Sequence, residues 1–260
     1  MHSCAEAGHA SVVQLLLEHC DADAEDEDSN TPAWLALSAG HADVAKQIVE
    51  EGEADVDAAC EDGRTLLHLA VARNDVETAT WLLDHGASHA VKDKFRNTAL
   101  HAAAEHGSWE AGLLLLERGA DARAAGKEAN TPLHVVAANP SGAKKRIALV
   151  DALLDKGAKA GALNIQMCRP LDGIEGSSSE DAELRDLLMV RRASRFFSIV
   201  LLPSYFVFIR RMPKMLRSKK GWHVYHQHSG LCQRRAVWNA IYKFSVILPC
   251  MSLILSRHVC

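Results

Sequence analysis

Apolar positions along this chain fall into paired bursts separated by polar stretches, and the pairing recurs. The first burst of a pair opens on threonine: Thr65-Leu66-Leu67-His68-Leu69-Ala70, Thr98-Ala99-Leu100-His101-Ala102-Ala103 and Thr131-Pro132-Leu133-His134-Val135-Val136, with the threonines 33 residues apart. An earlier version, Thr31-Pro32-Ala33-Trp34-Leu35-Ala36, stands 34 residues before Thr65. The second burst is leucine-rich and ends on Gly-Ala, as in Trp81-Leu82-Leu83-Asp84-His85-Gly86-Ala87 and Leu113-Leu114-Leu115-Leu116-Glu117-Arg118-Gly119-Ala120. Leu149-Val150-Asp151-Ala152-Leu153-Leu154-Asp155-Lys156-Gly157-Ala158 is a third copy. A fixed period of this length signals a stack of small similar units and not one globular core.

Both bursts read as helices. Threonine caps the first through its hydroxyl, and proline suits the first helical position, where no amide hydrogen is required. Ala70, Ala102 and Ala103 let neighbouring helices approach closely. The leucine spacing puts an apolar stripe on one face of the second helix. Gly86, Gly119 and Gly157 fall where a left-handed residue ends it. The polar stretch after each Gly-Ala is expected to form a hairpin loop leading into the next unit.

This order resembles the ankyrin repeat, whose pattern is Thr-Pro-Leu-His-x-Ala, then Gly-His, then Leu-Leu-x-x-Gly-Ala. The resemblance covers about residues 1–186. It implies an all-α ankyrin-repeat solenoid of helix-turn-helix units with hairpin loops. The expected array spans residues 1–188: a partial first unit at 1–29, units at 30–63, 64–96, 97–129 and 130–167, and an imperfect terminal unit at 168–188. The chain opens in the middle of a unit, which reads either as a fragment of a longer array or as a start at a misplaced methionine. Arg169-Pro170-Leu171-Asp172 recurs 38 residues after Thr131, an excess that fits an insertion around Asn139-Pro140-Ser141-Gly142-Ala143-Lys144-Lys145, between the fifth unit's two helices. A last helix is expected over Asp181 to Leu188. In the family the repeated histidine is structural, so His68, His101 and His134 are expected to tie units together. Trp34 replaces it in the second unit, which must pack differently there.

A narrower likeness lies in Asn30-Thr31-Pro32-Ala33-Trp34-Leu35-Ala36-Leu37, Asp62-Gly63-Arg64-Thr65-Leu66-Leu67-His68 and Arg73-Asn74-Asp75-Val76-Glu77-Thr78-Ala79. This succession is similar to endosomal ankyrin-repeat and FYVE-domain proteins of the rabankyrin type. It implies an endosomal adaptor working with an early-endosomal Rab GTPase, although no FYVE or BTB module is legible in the sequence.

Charge divides the chain. All 33 acidic residues precede Leu187, against 16 basic ones there, whereas residues 187–260 hold 13 Lys and Arg and no acid. Five of the six Phe and all three Tyr are in that same stretch. Residues 189–260 therefore form an acid-free tail, basic and hydrophobic, with no recognised domain and an expected lack of structure. Its composition matches translated non-coding sequence. Its apolar runs at 196–209 and 244–255 are 14 and 12 residues long and each holds a proline. Both are short of the roughly 20 apolar residues of a membrane-spanning helix. With basic clusters around them, they offer a membrane-surface contact as the alternative, confined to this tail.

Chemistry is sparse. The seven cysteines are scattered with no Cys-x-x-Cys, and residues 1–30 form no signal peptide, which implies reduced thiols in a cytoplasmic or nuclear setting, the cytoplasm being the expected one. His223, His226, His228 and Cys232 lack the paired ligands of a zinc site. Glu25-Asp26-Glu27-Asp28 lacks the glycine of a calcium loop and reads as a solvated tip. Neither a nucleophile elbow nor a phosphate-binding glycine loop occurs, so no enzyme, cofactor or metal is expected. The acidic repeats repel nucleic acid.

The expectation is a non-catalytic scaffold or adaptor that binds another protein through its hairpin tips and inner helix surface. The family pattern places Glu27, Asp28 and Asn30 at the first full tip, then Glu61, Asp62 and Arg64, then Lys94, Phe95 and Asn97, then Lys127, Glu128 and Asn130. Ser38, Arg73 and Glu105 fall at matching ends of first helices. Phe95 is the aromatic candidate for an anchor.

Overall fold

The computed structural model describes residues 1–200 except 142, 175 and 177, without the side chains of 143 and 192–200. The tail beyond residue 200, with His223, His226, His228 and Cys232, lies outside the described residues.

Five helix pairs follow one another: α1 (His2–Glu6) and α2 (Ala10–Leu17), α3 (Pro32–Ala39) and α4 (Ala42–Glu51), α5 (Leu66–Ala72) and α6 (Val76–Asp84), α7 (Ala99–His106) and α8 (Trp109–Glu117), α9 (Pro132–Ala138) and α10 (Ala143–Asp155). A final helix, α11 (Ser179–Val200), closes the described chain. First helices stack on first helices, α1 on α3 and so on to α9, while α2 packs on α4, α6 on α8 and α8 on α10. The expected all-α stack of helix-turn-helix units is borne out, with one isolated bridge, Ala59 to Thr65, as the extended pairing among the described residues.

Side-chain size explains the two layers. The first helices bury Ala36, Ala70, Ala103 and Ala137, which bring backbones close, with Leu37, Leu67, Leu100 and Leu133 between them. The second helices bury Ile48, Leu82, Leu115 and Leu153 against that layer. Truncating one such leucine to alanine costs about 2–5 kcal/mol, because the stack closes only partly over the cavity.

Each first helix from α5 to α9 starts with a reciprocal cap. The Thr65, Thr98 and Thr131 amides each donate to Nδ1 of the histidine three residues on, at 3.2 Å. The threonine oxygen in turn accepts the histidine's backbone N–H. With Nδ1 accepting, the proton of a neutral ring sits on Nε2, which donates to the next unit's loop: His68 to the Asn97 carbonyl, His101 to that of Asn130 at 3.0 Å, and His134 to that of Cys168 at 3.2 Å. Burial lowers the pKa of all three imidazoles. Their structural placement at unit junctions thus accounts for the spacing of the motif.

Three departures have physical causes. In the second unit, Thr31 Oγ1 accepts the Trp34 amide at 3.3 Å, but an indole offers no acceptor in return. The insertion near Pro140 is absorbed by α10, whose 13 residues exceed the 8 to 10 of α2, α4, α6 and α8. The last unit has a 3-10 turn, Pro170–Gly173, in place of a first helix. The helix expected to end at Leu188 continues to Val200, since no Gly or Pro interrupts the chain until Pro203.

Candidate protein-binding surface

Between units the chain makes five loops of one design, at residues 26–30, 60–64, 93–97, 126–130 and 164–168. In each, the first amide donates to the fifth carbonyl, over 2.9–3.1 Å. The fourth residue is left-handed every time: Ser29, Gly63, Arg96, Ala129 and Met167 have φ between 54° and 72°. Where the first residue is Asp or Asn, its side chain completes the turn. Asp26 Oδ1 accepts the Asn30 amide at 2.8 Å, Asp93 Oδ1 that of Asn97 at 2.7 Å, and Asn164 Oδ1 that of Cys168 at 2.9 Å. The backbone of the tip is therefore held from within, and its middle side chains are left to face outward.

The tips also hold one another. Lys94 donates its amide to the Asp62 carbonyl and its ammonium to the Asp62 carboxylate. That contact lowers the Asp62 pKa and raises that of Lys94. The Lys127 amide donates to Asn97 Oδ1 at 2.9 Å, and Asn164 Nδ2 donates to Asn130 Oδ1 at 2.9 Å. The Phe95 ring has two ammonium groups near it, those of Lys94 and Lys127, each 5.4 Å from its centre.

The expected binding residues separate by what their atoms do. Glu27, Asp28, Glu61, Lys94, Phe95, Lys127, Glu128 and Glu105 are exposed. Asn30, Asp62, Arg64, Asn97, Asn130 and Ser38 are half-buried. Asn97 and Asn130 serve as joints twice over, their side chains binding the next tip and their carbonyls accepting from His68 and His101. Arg73 is exposed, yet its guanidinium donates to the Leu37 and Ser38 carbonyls at the end of α3. It caps a neighbouring helix, a tertiary contact that no local pattern reveals. Ser38 turns its hydroxyl back to the Leu35 carbonyl at 2.9 Å. Asn139 does for α7 what Arg73 does for α3, donating to the Ala104 and Glu105 carbonyls at 2.9 Å.

The fifth tip escaped the sequence reading. Its Leu163, Ile165 and Met167 are 45, 72 and 70% exposed. The tip precedes Arg169 where the others precede threonine, so the usual marker is missing; counting back five residues from Arg169 would have found it. Among the described residues, no His, Cys, Asp or Glu cluster is placed to hold a metal. Asp26, from the acidic run, points into its own turn.

The geometry of capped helix pairs with projecting tips defines a class. The family described as ankyrin repeats (3 copies) matches residues 1–93, and that described as ankyrin repeats (many copies) matches residues 82–136. Together they span a little more than half of the chain, which belongs to the ankyrin-repeat family. A probable 26S proteasome regulatory subunit, p28, from Saccharomyces cerevisiae is 35% identical over 81 residues, 30% of this chain and 36% of that protein. The match thus spans about a third of that relative's length. An ankyrin repeat domain from Acinetobacter baumannii, solved as a crystal structure, superposes with a TM-score of 0.66 at 25% identity, over 73% of this chain and 96% of that one. Among the described residues, no helix is long and apolar enough to cross a membrane.

Proposed function

We propose that the chain is a non-catalytic adaptor that binds another protein along its row of hairpin tips and the adjoining ends of its first helices. Ankyrin repeats generally mediate protein–protein interaction. The observation that carries this reading is the pairing of one fixed tip backbone with unlike outward side chains. Glu27, Asp28 and Glu61 make the first two tips acidic, while Lys94, Arg96 and Lys127 bring positive charge to the next two. Such a row steers a partner with basic and then acidic patches, and Phe95 offers it an aromatic anchor. Arg73, Asn97 and Asn130 hold the surface in shape, and Glu105 borders it. The likeness to a probable proteasome regulatory subunit supports a protein as the ligand. An endosomal, membrane-associated version of this role would use the apolar runs at 196–209 and 244–255. Fractionating full-length protein against a form lacking them separates the two readings.

Photo-crosslinking tests the tip surface. A crosslinking amino acid at Glu61 or Lys127 is expected to trap the same protein in cells, and one at Glu50 or Glu117, exposed on second helices, is not. Equal trapping from the second-helix layer would remove the proposal. So would a protein trapped at the tips whose binding ignores charge reversal of Glu27, Asp28 and Glu61.

A further inference from the structure

The fifth tip is unlike the four before it. Its outward residues are Ile165, Gln166 and Met167, preceded by Leu163, and three large apolar side chains stand exposed within five residues. Isolated exposed apolar residues are ordinary, but a compact group of them marks a contact surface. The group is in line with the other tips. The Ile165 amide donates to the Glu128 carbonyl at 3.0 Å and Gln166 Nε2 to the Glu128 carboxylate at 3.0 Å. Asn164 is joined to Asn130. The row therefore runs acidic at tips one and two, carries Lys94, Arg96 and Lys127 around Phe95 at tips three and four with the Glu128 carboxylate turned to Gln166, and is apolar at tip five.

We infer that the row takes one extended segment of a partner protein whose side chains follow the order basic, acidic, apolar. This rests on the tip-binding reading and adds the partner's chemistry to it. Complementary charge selects the first two blocks: Lys or Arg opposite Glu27, Asp28 and Glu61, and Asp or Glu opposite Arg96 and Lys127. Desolvation selects the third, because Ile165 and Met167 gain by being covered with an apolar side chain and offer a polar one little. Spacing follows from geometry. Stacked helices lie about 10 Å apart, and an extended chain covers about 3.3 Å per residue. About three partner residues pass each tip, so the apolar side chain falls about three to six residues beyond the acidic one. The arrangement puts the apolar contact at one end of the segment, where it sets register along the row.

The test selects displayed random peptides of about 18 residues on the full chain and then measures the synthesised consensus peptide. Enrichment of the basic, acidic, apolar order at this spacing is expected. Ile165→Gln combined with Met167→Asn, an asparagine being tolerant of the left-handed backbone there, is expected to weaken that peptide about tenfold, the equivalent of about 1.4 kcal/mol. The melting temperature should stay unchanged. A peptide with serine at the apolar position should bind both proteins alike. Consensus peptides with no apolar position, or an unaltered affinity in the double variant, would overturn the inference. If charge reversal at Glu27, Asp28 and Glu61 still weakened binding, the tip surface itself would stand. Should those reversals and Phe95→Ala also leave binding unchanged, the tip surface falls with it. A full-length dimer that the double variant turns into a monomer would make a second copy the occupant and overturn the inference as well.

Discussion

The second unit and the three after it open their first helices on the same buried or half-buried threonine, then diverge three residues later. At His68, His101 and His134 one ring accepts a bond from its own helix start and donates to the following loop, joining two units through one side chain. Trp34 fills the same place with bulk alone, and the threonine cap survives there in its simpler form. The junction is tied elsewhere, by Arg73 reaching back to the end of α3. The far end differs again. Arg146, 2% exposed, pairs with the Asp181 carboxylate and donates to the Asn139 carbonyl, fastening α11 to α10. The threonine–histidine tie is therefore a regular solution that the chain abandons in the second unit and at the far end and replaces with arginines.

Breaking the marginal tie should have the largest effect. Arg146→Ala leaves the buried Asp181 carboxylate with its Ser178 hydrogen bonds but without its counter-charge, which costs about 3–5 kcal/mol. Urea denaturation measures it, and a loss well under that range would show the ion pair to be dispensable. The Ser178 hydroxyl and then the Arg146 guanidinium hold the Asp181 carboxyl down to about 2, below its usual value near 4. Its contribution is thus complete above about pH 4 and disappears as the pH falls through about 2.

Equivalent substitutions sharpen the contrast between units. His101→Phe keeps a ring but strands the Thr98 amide and leaves the Asn130 carbonyl with the Gly126 amide alone, at a cost of about 2–3 kcal/mol. Trp34→Phe exchanges one packed ring for another and should cost about 1 kcal/mol or less. Equal losses in the same denaturation experiment would mean that the histidine's bonds add nothing to its packing.

Acidity offers a third separation. Because burial lowers the pKa of His68, His101 and His134, the unfolded chain takes up protons before the folded one does. Stability should be level in these groups above about pH 6.5 and fall below it, by up to about 1.4 kcal/mol per pH unit for each histidine. His101→Phe should flatten that slope by one histidine's share and Trp34→Phe should leave it alone. The smallest structural effect belongs to Phe95→Ala. Its exposed contacts with two lysines are worth about 0.5–1 kcal/mol, while its loss should weaken the crosslinked partner measurably.

The helices, their order and the junction histidines were legible because each is written locally: a capping threonine, a histidine three residues on, a leucine stripe, a closing glycine. The tips were legible wherever such a threonine followed them. What escaped was tertiary. Nothing near Arg73 indicates that its guanidinium will end a helix begun 41 residues earlier, at Pro32. Asn97 and Asn130 were placed on the binding surface by position, yet their side chains and carbonyls serve the stack. Ile165 and Met167 went unnoticed because Arg169, not threonine, follows their tip. The extent of α11 was shortened because the repeat pattern stops before the helical residues do.

The left-handed fourth residue of the tips has an evolutionary consequence. Serine, glycine, arginine, alanine and methionine all occupy it, and the closing hydrogen bond forms in every case. Selection can exchange the outward residues of a tip one at a time while the stack beneath stays intact. New partners thus lie within single mutational steps, without a period of instability in which the lineage would be lost.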